Sequence, residues 1–307
     1  MARQIGFIGL GNLGFHLAAS LIKAGFSLIV HDLNRDAAIP LLDLGAGWAD
    51  SPAAVASRCE TVMTCLPSPL AVTRVVSGQD GILAGLRPGG TWIDCSTNDL
   101  HELKRLAGLA AVEGIQCLEA PVTGGVHKAA SGDITVLVGG EKSVFDAHLP
   151  LFQAIGGEVF HMGPLGSASV IKVITNMLAF IHLVAAGEAL MLAKRGGLDL
   201  AQAFHAIKAS SGNSFVHETE SQVILNGSYN INFTMDLACK DLHFAHELGR
   251  EFDVPLELAG LVEQTFIRAR SQYGGSAWSS QVVKLLEDAL STDLRAPGFP
   301  ATIVAEN

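Results

Sequence analysis

The sequence has few charged residues and no run of basic ones. Charged residues make up 16 % of the 307 positions, and 20 Lys and Arg stand against 30 Asp and Glu, so the formal net charge is −10 at pH 7. Nucleic-acid backbones are bound by clustered Lys and Arg, so no nucleic-acid ligand is expected. Hydrophobic residues reach 49 %, which predicts a globular protein with a large core rather than a disordered chain.

The sequence also lacks paired cysteines and metal-ligand spacings. Its five cysteines are an odd, scattered set without a C-x-x-C pair, which fits neither a disulfide framework nor a zinc site. We therefore expect reduced, mostly buried thiols and a cytoplasmic protein. The 11 histidines follow no metal-binding spacing, and no Ser-His-Asp or Cys-His arrangement can be argued from the order of residues. No metal site is expected.

Long uninterrupted apolar runs are missing as well. The longest, residues 173–187, contains Asn176 and His182 and is shorter than the ~20 residues that span a bilayer. The N-terminal residues lack the apolar core and cleavage site of a signal peptide. No membrane segment is expected, and no repeat with a period of about 20–50 residues indicates a solenoid.

Residues 1–165 alternate short β-rich runs with helical stretches, a pattern typical of crossover units in a doubly wound parallel sheet. The predicted strands are Ile5–Ile8, Ser27–His31, Thr61–Leu66, Thr91–Cys95, Ile115–Glu119, Ile134–Val138 and Glu158–His161. The predicted helices begin near Asn12, Arg35, Ser51, Leu70, Asp99 and Lys142. Several of them start at a Ser, Asp or Asn that can cap a helix N-terminus.

Residues 166–307 predict a second, all-helical domain. Its first helix, Ser167–Lys194, is apolar around its whole circumference, and such a helix is expected to be buried on every side. The other predicted helices are Leu200–Ser210, Val216–Leu225, Met235–Glu251, Leu256–Gln272 and Ser279–Ser291. The tail from Leu294 onward is expected to be extended or frayed.

The motif Gly9-Leu10-Gly11-Asn12-Leu13-Gly14 follows the first predicted strand and opens the first helix. In that context G-x-G-x-x-G predicts a Rossmann dinucleotide site, although a purely structural glycine turn is the alternative. Asp32 ends the second predicted strand, at the offset expected for a carboxylate that accepts from a ribose hydroxyl. This carboxylate favours NAD over NADP, while Arg35 could reach a 2′-phosphate and leaves NADP open.

Three further loops follow predicted strands, where open α/β sheets bind ligands. They are Leu66-Pro67-Ser68-Pro69, Asp94-Cys95-Ser96-Thr97 and Ala120-Pro121-Val122-Thr123-Gly124-Gly125. In the last of these, consecutive glycines after a hydroxyl residue can present backbone N–H groups to a carboxylate. Each loop taken alone could be structural, but their position beside the glycine motif favours a role in binding.

Lys172 lies on the long apolar helix among aliphatic neighbours. Residues three or four positions apart share a helix face, and on this face they form a polar or small stripe: Ala168, Ser169, Lys172, Thr175, Asn176 and Ala179. Such a stripe is expected to line a cleft, where desolvation would lower the lysine pKa toward neutral pH. A solvated lysine is the alternative. Asn176, one turn on, could orient a substrate or the amine.

These motifs together resemble the β-hydroxyacid dehydrogenase family, the group of 3-hydroxyisobutyrate, tartronate semialdehyde and threonate dehydrogenases. The resemblance covers about residues 4–290. It rests on the glycine motif, Asp94-x-Ser96-Thr97, the 120–125 loop, Gly166 with Lys172 and Asn176, and Lys240-Asp241-Leu242. Without the resemblance, Lys240-Asp241 would be read as a charged pair on a solvated helix face.

The resemblance implies roles for individual residues. Lys172 would be the catalytic acid/base, and the substrate would be held by Thr123, Gly124, Gly125 and Asn176, with Phe233 and Asp241 nearby. The implied cofactor-binding residues are Gly9, Gly11, Asn12, Leu13, Gly14, Asp32, Leu66, Pro67, Ala71, Thr97 and Lys240. Thr123 stands where the family usually has Ser, Ala168 replaces a common Gly, and Thr175 replaces the first of two Asn.

The expected activity is hydride transfer between NAD(P) and the hydroxyl carbon of a small β-hydroxy acid, in a homodimer or homotetramer. A decarboxylating 6-phosphogluconate enzyme is disfavoured, because the helical half is short and shows no basic cluster for a sugar phosphate. Two alternatives stay open. One is a catalytically silent NAD(P)-binding protein used for assembly or redox sensing, and the other is an imine reductase, whose members typically replace the lysine.

Overall fold

The computed structural model describes residues 4–303, which divide into two units between Lys172 and Val173. The strands all belong to the first unit: β1 (Gln4–Ile8), β2 (Ser27–His31), β3 (Gly47–Trp48), β4 (Thr61–Thr64), β5 (Thr91–Asp94), β6 (Gln116–Glu119), β7 (Val122–Thr123), β8 (Ile134–Gly140) and β9 (Gly156–Gly163). The division of the chain falls inside the long helix that follows β9.

Helices lie between these strands and make up the second unit. In the first unit they are α1 (Gly14–Lys23), α2 (Ile39–Asp43), α3 (Pro52–Ala56), α4 (Pro69–Ser77), α5 (Ile82–Gly85), α6 (Leu100–Val112), α7 (Val126–Ser131) and α8 (Lys142–Ile155), with a 3-10 turn at Arg35–Ala38. The helix α9 (Ser167–Arg195) contains the division. The second unit continues with α10 (Leu200–Lys208), α11 (Phe215–Asn226), α12 (Met235–Glu251), α13 (Glu257–Tyr273), a 3-10 turn at Ser279–Val283 and α14 (Lys284–Ala289).

The sheet has the strand order β3-β2-β1-β4-β5-β6-β8-β7, with β9 paired to β8. Strands β1 to β6 run parallel to one another. Strand β8 pairs antiparallel with β6 and β7 and parallel with β9. The expected parallel sheet is therefore extended by an antiparallel edge. The order reverses at β1, which places a ligand-binding crevice at the carboxyl ends of β1 and β4.

Both faces of this sheet are covered by apolar clusters. Met63 of β4 and Ile93 of β5 pack in one cluster, while Val62 and Trp92, one residue earlier on the same strands, pack in the other. Successive strand side chains point to opposite faces, so a strand buried on both faces needs apolar residues at every position. This explains the continuous apolar runs that marked these strands in the sequence.

Local capping fixes several helix starts where the sequence predicts them. The side chains of Ser51, Ser68 and Asp99 accept from backbone N–H groups three residues on, at the starts of α3, α4 and α6. The strands β3 and β7 and the helices α5 and α7 were not predicted. All four are two to six residues long, too short to show a hydrophobic period.

The expectation that α9 is buried on every side is wrong for this chain taken alone. Ile174, Leu178 and Leu192 are 38 %, 44 % and 76 % exposed. By length and composition α9 could also cross a membrane, since an 18-residue window has a mean hydropathy of 1.8, but the core helix of a soluble protein meets the same criterion. A helix without a polar face does not by itself reveal which side is covered.

Two other expectations about the helical half are corrected. The single helix expected over Ser279–Ser291 is a 3-10 turn followed by the short α14. The tail, expected to be extended or frayed, has no helix or strand between Leu294 and Ala301. It is not frayed there, because Asn226 Nδ2 donates to Phe299 O over 2.8 Å and the Phe299 ring packs edge-on against Phe204. Residues 304–307 lie outside the described residues.

Candidate active site

Four loops of the first unit lie along one edge of the sheet. Strands β1, β4, β5 and β6 are parallel neighbours, so their carboxyl ends face the same way. The glycine motif follows β1, Leu66 and Pro67 follow β4, Ser96 and Thr97 follow β5, and the 120–125 loop follows β6. The structure therefore brings the sequence-predicted loops to the edge where open α/β sheets bind ligands.

The glycine turn is shaped by close backbone approaches. A Cβ at Gly9, whose φ is +96°, would lie 2.3 Å from the carbonyl oxygen of Cys65, and one at Gly14 would lie 2.0 Å from Gly9 O. Only glycine fits at these two positions. Gly11 is exposed, and a Cβ there would meet nothing within 4 Å among the described residues.

This turn leads directly into α1. Leu13 occupies the N-cap position, and within residues 4–303 its side chain makes no capping hydrogen bond. The N–H groups of Phe15 and His16 in the first helical turn donate to the carbonyl oxygens of Gly11 and Leu13 over 3.1 and 3.0 Å. The turn thus combines the open approach at Gly11 with a helix N-terminus, whose positive dipole end suits a pyrophosphate. These residues fit a dinucleotide cofactor.

Asp32 ties the end of β2 to the glycine turn. Its Oδ2 accepts from the N–H of Leu10 over 2.6 Å, and its Oδ1 accepts from the N–H of Asn34 over 2.8 Å. A carboxylate has about four acceptor positions, so both oxygens can still accept from a ribose hydroxyl. Arg35 is exposed and its guanidinium lies 5.6 Å from the centre of the Trp48 ring.

A buried carboxylate joins the ends of β4 and β5. Asp94 accepts from the hydroxyl of Thr64 over 2.9 Å and from the amide of Asn98 over 3.0 Å, and the hydroxyl of Ser96 accepts from the N–H of Leu66 over 2.9 Å. Burial raises the pKa of Asp94, and hydrogen bonds from Ser96, Thr64 and Asn98 oppose that rise. The network fixes the two loops that the resemblance assigns to the cofactor.

The other implied cofactor residues of this unit lie on the same loops. Thr97, the residue after Ser96, is partly buried, and Pro67 is exposed. Ala71 lies in the first turn of α4, where its N–H donates to the Ser68 hydroxyl over 3.3 Å. All three therefore belong to the edge defined by the strands.

The 120–125 loop contains a left-handed stretch of backbone. Gly124 and Gly125 have φ values of +122° and +88°, and Thr123, the last residue of β7, precedes them. The ring of His127 lies 3.0 Å from where a Gly125 Cβ would stand, and burial lowers the pKa of this histidine. A neutral imidazole thus lies beside the glycine pair, a feature that the sequence analysis did not single out.

Lys172 is buried, with 7 % of its surface exposed. It lies in the second turn of α9, the helix whose first turn is bonded to the end of β6. Glu119, the last residue of β6, accepts from the N–H of Gly166 over 2.6 Å and from the N–H of Ala168 over 2.9 Å. The helix that carries Lys172 therefore begins at the same edge as the four loops.

In the second unit, two of the predicted residues contact the buried carboxylate of a third. Asp241, 1 % exposed on α12, accepts from Nδ2 of Asn176 over 2.6 Å, and Lys240 Nζ lies 2.7 Å from its other oxygen. Lys240 is thus a partner of the site carboxylate rather than part of a solvated pair. Phe233 is partly buried and packs against Phe180, with ring centroids 6.0 Å apart.

Thiols near the edge are poor nucleophiles. Burial raises the pKa of Cys65 to about 12 and that of Cys95 well above its ordinary value, so both stay protonated at neutral pH. All five cysteines are free, but only Cys59 and Cys95 are fully buried. Within residues 4–303, no group of three His, Cys, Asp or Glu is arranged to hold a metal ion.

Comparisons with known proteins match both units. Residues 4–163 match the model of the NAD binding domain of 6-phosphogluconate dehydrogenase, and residues 166–286 match the NAD-binding domain of NADP-dependent 3-hydroxyisobutyrate dehydrogenase. The L-threonate dehydrogenase of Cupriavidus necator is 34 % identical over 93 % of this chain and 96 % of that protein. The chain belongs to the β-hydroxyacid dehydrogenase family.

Other members support this assignment. The 2-(hydroxymethyl)glutarate dehydrogenase of Eubacterium barkeri is 32 % identical over 92 % of this chain and 95 % of its own. The crystal structure of 3-hydroxyisobutyrate dehydrogenase from Salmonella typhimurium has a TM-score of 0.86 at 30 % identity, and covers 92 % of this chain and 99 % of that one. This β-hydroxyacid dehydrogenase is thus an oxidoreductase that binds a nicotinamide cofactor, which confirms the predicted family, fold class and reaction class.

Proposed function

We propose that this enzyme oxidises the hydroxyl group of a small β-hydroxy acid, of the 3-hydroxyisobutyrate, glycerate or threonate type, with NAD as its preferred cofactor. The observation that carries the proposal is the burial of Lys172 on a helix that begins at the cofactor edge of the sheet. The names of the two curated relatives support the substrate class, because L-threonate and 2-(hydroxymethyl)glutarate each combine a hydroxyl group with a carboxylate on a short carbon chain.

Lys172 is the acid/base in this proposal. A nicotinamide cofactor held by the glycine turn and Asp32 would supply the acceptor for the hydride of the hydroxyl carbon. Neutral Lys172 accepts the hydroxyl proton at Nζ in the oxidising direction, and its ammonium form donates that proton to the developing alkoxide in the reducing direction. Water is largely excluded from a side chain that is only 7 % exposed, which strengthens its electrostatic interactions.

The substrate carboxylate is assigned to the 123–125 backbone. Gly124 and Gly125 both have positive φ values, and backbone of this kind can direct successive N–H groups toward one anion. The Thr123 hydroxyl adds one further donor, while its methyl group narrows the space relative to the serine usual in the family. In the second unit, Asn176 is held by Asp241 and is assigned to substrate orientation.

The preference for NAD is assigned to Asp32. Its two oxygens already accept backbone hydrogen bonds from Leu10 and Asn34, which keeps the carboxylate fixed at the end of β2. A fixed carboxylate accepts from a ribose 2′-hydroxyl and repels a 2′-phosphate. Arg35, the residue that could favour NADP, packs its guanidinium against Trp48.

A homodimer or homotetramer is the proposed assembly, in the cytoplasm, with no nucleic-acid or membrane partner. The support is the exposed apolar surface that α9 leaves uncovered in a single chain at Ile174, Leu178 and Leu192. Light scattering of the purified protein tests this proposal directly. A monomer at micromolar concentration would contradict it.

The proposed reaction is tested with a panel of hydroxy acids of three to five carbons, each assayed with NAD and with NADP by the absorbance of the reduced cofactor. We expect turnover of at least one β-hydroxy acid and a higher kcat/KM with NAD. Simple alcohols of matching size are the control and should be poor substrates. Turnover confined to cyclic imines, with no hydroxy acid accepted, would contradict the proposal.

A further inference from the structure

Glu119 is a charged side chain that the proposed reaction does not use, yet it is 1 % exposed. All four hydrogen bonds it accepts come from the start of α9. Its Oε1 accepts from the N–H groups of Gly166 and Ala168, and its Oε2 accepts from the N–H of Ser169 over 2.9 Å and from the Ser169 hydroxyl. The carboxylate thus caps a helix that begins 47 residues later in the chain.

This capping differs from the usual kind. N-cap side chains normally come from the residue that precedes the helix, as Ser68 and Asp99 do for α4 and α6. A local cap fixes only the chain entering the helix. Because Glu119 belongs to β6, its hydrogen bonds also fix the helix start relative to the sheet. The first turn of α9 cannot shift along the sheet edge without breaking them.

The surroundings make room for this carboxylate. Gly139 of β8 pairs with Glu119 across the antiparallel edge of the sheet. A Cβ at Gly139 would lie 2.1 Å from Glu119 Oε1 and 2.9 Å from Cδ, so the carboxylate would have to move to admit it. The Glu119 side chain therefore occupies the space that a larger residue at position 139 would take.

Charge complementarity explains why an acid stands there. Burial raises the pKa of Glu119, and the hydrogen bonds from Ser169 and the backbone N–H groups oppose that rise. An ionised carboxylate is favoured at the positive end of a helix, and α9 is 29 residues long. Lys172 follows Ser169 by three residues, so its Cα lies only about 4.5 Å further along the helix axis. Any displacement of the first turn is passed on to Lys172.

We infer that Glu119 is a positioning residue for proton transfer: it holds the first turn of α9 on the end of β6 and thereby sets where Lys172 Nζ lies. This inference rests on the proposed role of Lys172. A displacement of about 1 Å in a reacting group can cost on the order of 100-fold in rate. Glu119 itself touches neither substrate nor cofactor in this role.

The test compares Glu119→Gln in two backgrounds. The amide retains the size of the side chain but turns an NH2 group toward N–H donors, so the first turn must move. We expect kcat to fall by tenfold or more in the otherwise unchanged enzyme, while the Kd for NAD, measured by fluorescence, changes less than twofold. In the Lys172→Ala background, Glu119→Gln should cause no further loss of kcat.

Further variants keep the test decisive if Glu119→Gln folds poorly. Ser169→Ala removes one of the four donors and should lower kcat about two- to fivefold, the effect of one ordinary hydrogen bond. Gly139→Ala alone should lower kcat strongly, because the new methyl group displaces the Glu119 carboxylate. In a Glu119→Asp background, where the side chain is one methylene shorter, Gly139→Ala should lower kcat little further. Two independent sites would not show this coupling.

Glu287→Gln is the matched control, since Glu287 is a buried, fully bonded carboxylate of α14. It should lower the melting temperature without changing kcat. The inference fails if Glu119→Gln folds and keeps wild-type kcat, if it lowers kcat equally in both backgrounds, or if Ser169→Ala has no effect. The proposed function fails separately, if Lys172→Ala keeps wild-type kcat.

Discussion

Asn176 donates from Nδ2 to Oδ2 of Asp241 over 2.6 Å, and this bond joins α9 to α12 within the second unit. The carboxylate that accepts it is 1 % exposed and has Lys240 Nζ 2.7 Å from its other oxygen. A single buried acid thus orients two side chains that the family resemblance assigns to substrate and cofactor. Its removal takes this carboxylate away from both Asn176 and Lys240.

Asp241→Ala is therefore expected to destabilise the protein by about 2–4 kcal/mol, because it breaks a largely buried ion pair and a hydrogen bond to the same carboxylate. The change should also raise the KM for the hydroxy acid, since Asn176 loses its anchor. Asp236→Ala on the same helix is the control, because its ion pair with Arg270 is about half exposed. That pair should contribute less than about 1 kcal/mol. Equal losses of unfolding free energy in the two variants would contradict this prediction.

Asp32→Asn should shift cofactor preference toward NADP. The amide keeps the size of the side chain but no longer repels a 2′-phosphate, so the ratio of kcat/KM for NAD to that for NADP should fall by tenfold or more. Asp36→Asn, an exposed acid four residues later, should leave the ratio unchanged. A wild-type enzyme that already prefers NADP by tenfold would overturn the role of Asp32 and point to Arg35.

Substrate recognition through a carboxylate gives a third prediction. The N–H groups of residues 123–125 are expected to bind an anion, so the methyl ester of a good hydroxy acid should lose kcat/KM by at least about tenfold, the loss expected from one charge-assisted hydrogen bond. Thr123→Ser, which keeps the hydroxyl and removes the methyl group, should retain activity and accept bulkier acids. An ester that reacts as fast as its acid would show that the assigned orientation is wrong.

Glu220 gives a prediction about pH. Its Oε2 is buried without a hydrogen-bond partner among residues 4–303, and burial raises its pKa to about 8. The folded state therefore holds a proton that the unfolded state releases above pH ~4.3, so this group costs stability increasingly as the pH rises from about 4.3 to 8.

Glu220→Gln should accordingly raise the melting temperature at pH 8 and have little effect at pH 4.5. The gain at pH 8 is expected because the amide never takes up the negative charge that burial disfavours in Glu220. Glu251→Gln, an exposed acid at the end of α12, is the control and should show no such pH dependence. A constant difference between wild type and Glu220→Gln at both pH values would contradict the assignment.

Features encoded by neighbouring residues could be predicted from the sequence. The glycine motif, the Ser51, Ser68 and Asp99 caps and the apolar strand runs all act within a few positions, and the structure has them as expected. The carboxyl-end loops followed from strand order alone. The boundary expected at residues 165 and 166 stays a prediction, although the structure divides inside α9.

Features made by distant partners could not be predicted. Glu119 looks like an ordinary strand end, because its hydrogen-bond donors lie 47 to 50 residues later. Lys240-Asp241 looks like a solvated pair until Asn176, 65 residues away, is found bonded to the acid. The one available signal for Glu119 was a charged residue at the end of a predicted strand of the sheet, where burial calls for a partner.

The most direct test of the account is the kcat of Lys172→Ala with a good β-hydroxy acid, measured beside its affinity for NAD. In the proposed site the glycine turn and Asp32 hold the cofactor and Lys172 does not, so the Kd for NAD should change little. The loss of a positioned acid/base should lower kcat by about 10²–10⁴-fold, and Lys172→Arg should fail nearly as badly because a guanidinium stays protonated. A folded Lys172→Ala enzyme with wild-type kcat would contradict the central claim that this lysine transfers the proton.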